Sequence, residues 1–177
     1  MHRNIEVKAR VTDSRRIRDL ALASGAAPVH VLHQTDTFFV VTRGRLKLRE
    51  LDDGSGELIF YERLDETGPK ASSYWVYPCS RPKILSTVLA QALGVRGVIE
   101  KQREVLMMDR TRVHLDDVAG LGTFLEIEVV LRDGEPAEDG GRIASELLAA
   151  LNVPESSLVA SAYIDLLEQT EGQRVNC

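Results

Sequence analysis

Charged residues recur at every second position in six separate stretches of this chain, with apolar residues between them. Near the N-terminus, Glu6, Lys8 and Arg10 alternate with Ile5, Val7, Ala9 and Val11. Then come Arg45, Lys47 and Arg49; Tyr61 and Arg63; Lys101 and Arg103; Arg112, His114 and Asp116; and finally Glu126 and Glu128. Residues two apart in a strand share a face. The pattern therefore predicts a sheet with one ionic face and one largely apolar face. The ionic face carries basic rows and two acidic rows, a combination suited to metal ions and a polyanion.

The same pattern divides the chain into elements. Residues 4–11 read as a strand. Asp13 to Ser24 reads as a helix, capped by Asp13, striped by Ile17, Leu20 and Ala21, and stopped by Gly25. Two strand pieces, 37–42 and 45–50, meet near Gly44. The turn Asp52-Asp53-Gly54-Ser55-Gly56 returns the chain through 58–64, so 45–64 is a hairpin. A strand at 72–77 precedes a helix that starts at Pro82 and ends at Gly94, with Ile84, Leu85, Val88, Leu89, Ala92 and Leu93 on its apolar face. Strands follow at 98–107, 111–118 and 124–131. The stretch 133–141 reads as an exposed loop, two helices at about 142–151 and 156–168 close the chain, and 170–177 reads as a frayed tail.

About eight strands joined mostly by short turns argue for an antiparallel sheet in an α+β fold. Its apolar face, including Ile5, Val7, Leu48, Val113, Leu125 and Ile127, must be covered by the helices. If the sheet curls into a barrel, the ionic face lines the interior and stays wet, because unpaired charges are not left in a dry core.

Composition narrows the class. A chain of 177 residues, 44% hydrophobic and 28% charged, suits one globular domain spanning 1–177. The net charge of −5 argues against nucleic-acid or membrane partners, which makes the local basic rows more informative. No apolar run approaches the ~20 residues of a membrane helix, and Met-His-Arg-Asn-Ile-Glu carries no signal-peptide core. Cys79 and Cys177 read as free thiols of a cytoplasmic protein.

The chemistry-bearing groups lie on the ionic face. Asn4-x-Glu6-x-Lys8-x-Arg10 places a carboxylate, a hard ligand for Mg2+ or Mn2+, two residues from a lysine. It also reads as a solvated edge strand. Glu126 and Glu128 repel unless cations or a basic cross-strand partner lie between them. With Glu6 they offer three carboxylates, and Asp116 a fourth. The basic rows Lys47, Arg49, Arg63, Lys101, Arg103 and Arg112 are individually ordinary salt-bridge partners. Together, at matching parity, they suit a polyphosphate. His114 shares that face, to contact substrate or to serve structure. Tyr163 packs in a helix or caps a cavity. Neither a phosphate loop nor a defensible Ser–His–Asp order is present.

These residues, in this order, resemble the CYTH superfamily, the triphosphate tunnel metalloenzymes, which include class IV adenylyl cyclases, thiamine triphosphatases and inorganic tripolyphosphatases. The resemblance spans about residues 3–168. It rests on Asn4-Ile5-Glu6-Val7-Lys8 against the family's ExExK, on Gly44-Arg45-Leu46-Lys47-Leu48-Arg49, on Tyr61-Glu62-Arg63, on Lys101-Gln102-Arg103, on Arg112-Val113-His114-Leu115-Asp116, and on Gly120-Leu121-Gly122-Thr123-Phe124-Leu125-Glu126-Ile127-Glu128. It implies an antiparallel eight-stranded β-barrel, a triphosphate tunnel with helices packed outside.

It further implies that Lys8, Lys47, Arg49, Arg63, Lys101, Arg103 and Arg112 bind triphosphate, with Arg10 counted beside them on the first strand. Glu6, Glu126 and Glu128, helped by Asp116, would hold Mg2+ or Mn2+, and Lys8 and Glu6 would be catalytic. The departure is Asn4, where the family usually has Glu. The implied activity is triphosphate hydrolysis, with adenylyl cyclisation or binding without turnover as alternatives. The expected partner is a small-molecule triphosphate, and a homodimer is compatible with the sequence.

Overall fold

The computed structural model describes residues 2–175, with side chains to 173. The strands are β1 (His2–Arg10), β2 (Ala27–Phe39), β3 (Arg45–Leu51), β4 (Gly56–Arg63), β5 (Lys70–Cys79), β6 (Val95–Met108), β7 (Thr111–Val118) and β8 (Gly122–Val130). All pairings are antiparallel and the sheet closes on itself in the order β1-β5-β4-β3-β2-β6-β7-β8. Helices α1 (Ser14–Ala23), α2 (Pro82–Leu93), α3 (Ala137–Ala150) and α4 (Tyr163–Val175) complete an α+β fold. The eight-stranded barrel with external helices is therefore the architecture found.

Local chemistry sets several boundaries. Asp13 caps α1 by accepting from the Arg16 amide at 3.0 Å. In the β3–β4 turn, Asp53 Oδ1 accepts from the Ser55 amide at 2.9 Å, and Gly54 takes a φ of +81°. Pro82 opens α2.

The outward apolar residues of β1, β7 and β8 form the main core. Ile5, Val7, Val113, Leu115, Leu125, Ile127 and Val129 pack under Ile17 and Ala21 of α1 and Ala144, Leu147 and Leu148 of α3. Each large aliphatic so buried contributes about 1.5–3 kcal/mol. Gly140 lets α3 sit close, since a Cβ there would lie 2.6 Å from Ile5 Cγ1 and 2.8 Å from Leu131 Cδ2. A second cluster closes one end of the barrel: Phe38, Ile99 and Phe124 meet Ala162, Tyr163 and Ile164.

Four boundaries differ from the sequence reading. β2 begins at Ala27 rather than 37, with a register shift between Pro28 and His30 that absorbs the proline. Its partner β6 supplies the pairing that local pattern did not advertise. Helix α3 begins at Ala137, inside the stretch read as loop. The region expected to be helical from 156 is instead a 3₁₀ turn at Glu155–Ser157, and α4 starts only at Tyr163. The tail read as frayed from 170 is helical to Val175; Asn176 and Cys177 lie outside the described residues. Cys79 is free. On α2, Ile84, Val88, Ala92 and Leu93 are exposed, Ile84 and Val88 by 60% and 57%, so four of the six residues of the expected apolar face have no cover in this chain. Among the described residues no helix is long and apolar enough to cross a membrane.

Candidate active site

Alternate positions on the strands aim one face inward, and that face encloses a cavity of about 390 Å3. Such a volume falls within the roughly 300–1,000 Å3 of small-molecule sites. β1 contributes Asn4, Glu6 and Lys8; β3 contributes Lys47 and Arg49; β4 contributes Tyr61 and Arg63. From the other side come Lys101 and Arg103 of β6, Arg112 and His114 of β7, and Glu126 and Glu128 of β8. Tyr163, at the start of α4, forms part of the floor. Its ring centroid lies 3.8 Å from Lys8 Nζ, and its hydroxyl donates to Asp116 Oδ2 at 2.8 Å.

Two expected site residues stand apart. Arg10 does not line the cavity: its guanidinium donates to the Leu121 carbonyl at 2.6 Å and lies 4.6 Å from the Phe124 ring centroid. Asp116 lies behind the lining, 2% exposed, where Arg103 grips it through Nε and Nη2 at 2.6 and 2.5 Å. Lys70 is buried, donating to the carbonyls of Glu66 at 2.6 Å and Ala160 at 3.3 Å.

Within the cavity the cations are already paired with carboxylates. Arg63 bonds Glu6. Lys8 Nζ lies 3.1 Å from Glu126 Oε1, Arg103 reaches Glu126 Oε2 at 2.5 Å, and Arg112 reaches Glu128 Oε2 at 2.8 Å. The β2 residue Asp36, which sequence reading missed, is the hub of the opposite wall. It accepts from Lys47 and Arg49 and lies 3.7 Å from Lys101 Nζ. The signal was parity: with β2 extended back to Ala27, Gln34, Asp36 and Phe38 fall on the inward face.

The electrostatics follow from these neighbours. Burial pushes Asp36 up, but Arg49, Lys47 and Lys101 outweigh it and hold its carboxyl well below the usual range. Glu126 behaves likewise, burial being overcome by Lys8, Arg103 and Lys101. Lys101 is brought down to about 7 by burial and by Arg103, against the pull of Asp116 and Asp36. Burial, with Arg103, lowers His114 to about 4, so its imidazole is neutral at ordinary pH.

The carboxylate cluster suits a dication. His114, Glu126 and Glu128 each offer one ligand atom, all within 4.8 Å of one another. Glu6 is the cross-strand neighbour of Glu128 in the β1–β8 ladder. Five buried polar atoms of the lining have no hydrogen-bond partner among the described residues: Arg63 Nε and Arg112 Nε, which can only donate, and Asn4 Oδ1, Gln34 Oε1 and His114 Nδ1, which can accept. Acceptors left open beside clustered carboxylates are what a metal ion fills. The cavity also has an apolar wall, where Leu32, Ile59, Val76 and Val105 project inward near Tyr74.

Known proteins share this fold. "Putative adenylate cyclase MJ0240" of Methanocaldococcus jannaschii is 23% identical over 171 residues, covering 92% of this chain and 97% of its own. The PH1012 protein of Pyrococcus horikoshii OT3 superposes with a TM-score of 0.83 at 24% identity, over 94% of this chain and 99% of its own. "Putative adenylyl cyclase HpAC1" of Hippeastrum, described as having a dominant triphosphatase activity, superposes with a TM-score of 0.67 at 16% identity, over 96% of each chain. At these identities the superpositions speak for the fold. The family model of the CYTH domain matches residues 2–163, all eight strands of the barrel and the chain as far as Tyr163 in its floor. With that match added to the ordered strand motifs and the closed ionic barrel, the chain belongs to the CYTH domain family.

Proposed function

We propose that this protein is a divalent-metal-dependent triphosphatase that works inside its barrel. One observation carries the reading: Lys8, Lys47, Arg49, Arg63, Lys101, Arg103 and Arg112 converge on the cavity that also holds Glu6, Glu126 and Glu128. A lone polyanion would be repelled by the carboxylates, and a lone cation by the arginines and lysines. A metal triphosphate satisfies both sets.

The chain's own groups divide the work. Lys47 and Arg49 on one wall and Arg103 and Arg112 on the other bind phosphate oxygens by charge-assisted hydrogen bonds. Their present carboxylate partners hold them extended into the cavity before substrate arrives, so little reorganisation remains at the moment of reaction. Glu126 and Glu128, with Glu6 beside them, would hold Mg2+ or Mn2+. That ion would supply Lewis acidity and charge neutralisation at the phosphorus under attack. Lys8 would take up the proton of the attacking water as the neutral amine; as the ammonium, 3.1 Å from Glu126 Oε1, it binds phosphate instead. Tyr163 and Phe124 close the floor and keep bulk water from the deep end.

A second reading, adenylyl cyclisation, draws on the apolar wall of Leu32, Ile59, Val76 and Val105, which would accept a nucleobase. Product analysis separates the two. Incubation with tripolyphosphate, thiamine triphosphate and ATP, each with Mg2+ and with Mn2+, is expected to yield orthophosphate and a diphosphate. Cyclic AMP with pyrophosphate would replace this reading with the cyclase. Tight binding without turnover would leave only a binding module. Glu126→Gln should cut turnover by about 10²–10³-fold with the far-ultraviolet circular dichroism intact; unchanged turnover would remove Glu126 from the metal site.

A further inference from the structure

We propose that His114 Nδ1 is a ligand of the dication held by Glu126 and Glu128, which makes the site a mixed nitrogen–oxygen centre favouring a first-row transition ion such as Mn2+ over Mg2+. This rests on the metal-dependent reading above and specifies its metal chemistry.

Position comes first. His114 on β7 lies directly opposite Glu126 on β8 in the antiparallel ladder. Opposed side chains on one sheet face have Cβ atoms about 4.5–5.5 Å apart. Glu128 is two residues further along the same face. Imidazole and both carboxylates thus reach a common point, with one ligand atom from each inside a 4.8 Å group.

The state of the imidazole points the same way. His114 is 5% exposed, and its Nδ1 has no hydrogen-bond partner among the described residues. Glu128 Oε1 is 3.8 Å away, beyond hydrogen-bond reach. A buried polar atom left unsatisfied costs about 1–3 kcal/mol. A cation between the imidazole and the two carboxylates would satisfy Nδ1, sharing Glu126 with Lys8 and Arg103 and Glu128 with Arg112.

The donor set then selects the ion. Mg2+ strongly prefers oxygen ligands and sheds water reluctantly, whereas imidazole binds the first-row transition ions, Mn2+ the most weakly of them. Asn4 adds to the bias. Its Oδ1, like Gln34 Oε1, is a buried, unpartnered acceptor in the same lining, and it is a neutral ligand oxygen at the place where the family resemblance leads one to expect a carboxylate. Fewer negative oxygens weaken the hold on a hard ion more than on one that a nitrogen also binds.

The test is pulsed electron paramagnetic resonance of the full chain loaded with Mn2+, paired with titration calorimetry of Mn2+ and Mg2+. Wild-type protein should show 14N coupling to bound Mn2+, and His114→Gln should lose it. The same variant should weaken Mn2+ binding at least about tenfold, the scale on which even outer-shell partners of a metal act, and Mg2+ binding much less. Mn2+ bound without 14N coupling in the wild type, or coupling retained in His114→Gln, would overturn the inference while leaving metal-dependent turnover standing. Failure of the wild type to bind Mn2+ even with tripolyphosphate present would overturn the metal-dependent reading itself, and this inference with it.

Discussion

Arg49 grips Asp36 through two parallel hydrogen bonds, Nε to Oδ1 at 2.8 Å and Nη2 to Oδ2 at 2.9 Å. Lys47 adds a third contact, to Oδ2 at 2.8 Å. Asp36 is 1% exposed, so the guanidinium and the ammonium are held by a carboxylate with almost no water to replace it. Asp36→Asn should therefore destabilise the ligand-free protein by about 3–5 kcal/mol, the cost of stranding a buried charge. Tripolyphosphate should restore more of the melting temperature in the variant than in the wild type, because phosphate oxygens take the vacated place. The folded carboxyl is depressed, so its contribution is present above the ordinary carboxylate pKa of about 4 and fades as pH falls below it. The two thermal melting curves should converge in acid. An unchanged melting temperature at neutral pH would remove Asp36 from the hub.

The two arginines expected to bind substrate from β1 and β3 should now behave differently. Arg49 lines the cavity, and Arg49→Ala should raise KM by the loss of a charge-assisted contact worth about 1.5–3 kcal/mol. Arg10 faces the Leu121 carbonyl and the Phe124 ring instead. Arg10→Ala should leave KM within about twofold and cost stability on the order of 1 kcal/mol. Steady-state kinetics and chemical denaturation of the pair test this; a KM rise in the Arg10 variant equal to that of the Arg49 variant would place Arg10 with the phosphate binders.

Lys101 gives a pH dependence with a defined sign. Its pKa is lowered from 10.5 to about 7 in the folded, ligand-free protein. Only the protonated amine attracts phosphate, so triphosphate affinity should be higher below pH 7 and fall above it. The ligand's own titration adds to the profile, so the quantity to measure is the difference between wild type and Lys101→Met from pH 5.5 to 9. That difference should shrink as pH rises through about 7. For stability the sign is opposite. Between about 7 and 10.5 the unfolded chain binds more protons than the folded one, so this group's destabilisation is relieved as pH rises. A flat difference in affinity across neutrality would show that Lys101 stays charged.

Gly140 tests how α3 is seated. A methyl group there would press on Ile5 Cγ1 at 2.6 Å and Leu131 Cδ2 at 2.8 Å, both in the core. Ala is the better helix former by about 1 kcal/mol, yet overpacking typically costs about 1–3 kcal/mol. Gly140→Ala should therefore be neutral to destabilising in urea titration. A gain near the full propensity difference would show that the helix can shift outward without loss.

The alternation of charge and aliphatic residues was enough to determine most of the barrel. Ile5 and Val7 face α3 and Glu6 and Lys8 face the cavity because a strand cannot do otherwise once one face is buried. The basic rows and Glu126 with Glu128 were legible for the same reason: parity is a local property, written in consecutive residues. Arg10 shows the limit of parity. It has the right phase but stands one step past the cavity, and where a barrel is closed off depends on the floor residues Phe124 and Tyr163, not on the strand that carries Arg10.

Only the tertiary structure decided what pairs with what. Asp36 lies on a strand, β2, whose extent depends on pairing with β6 more than sixty residues away in sequence, so no window around it reveals a buried anion among three cations. His114 could be placed on the ionic face from its neighbours. Its unpartnered nitrogen beside Glu126 and Glu128 emerges only when β7 and β8 are laid side by side. The sequence by itself determined the faces of the strands and the charges they carry, because side-chain direction alternates along a single chain. Closure of the sheet decided the rest, because distances across a barrel are set by register between strands, and register is a relation between segments that no single segment contains.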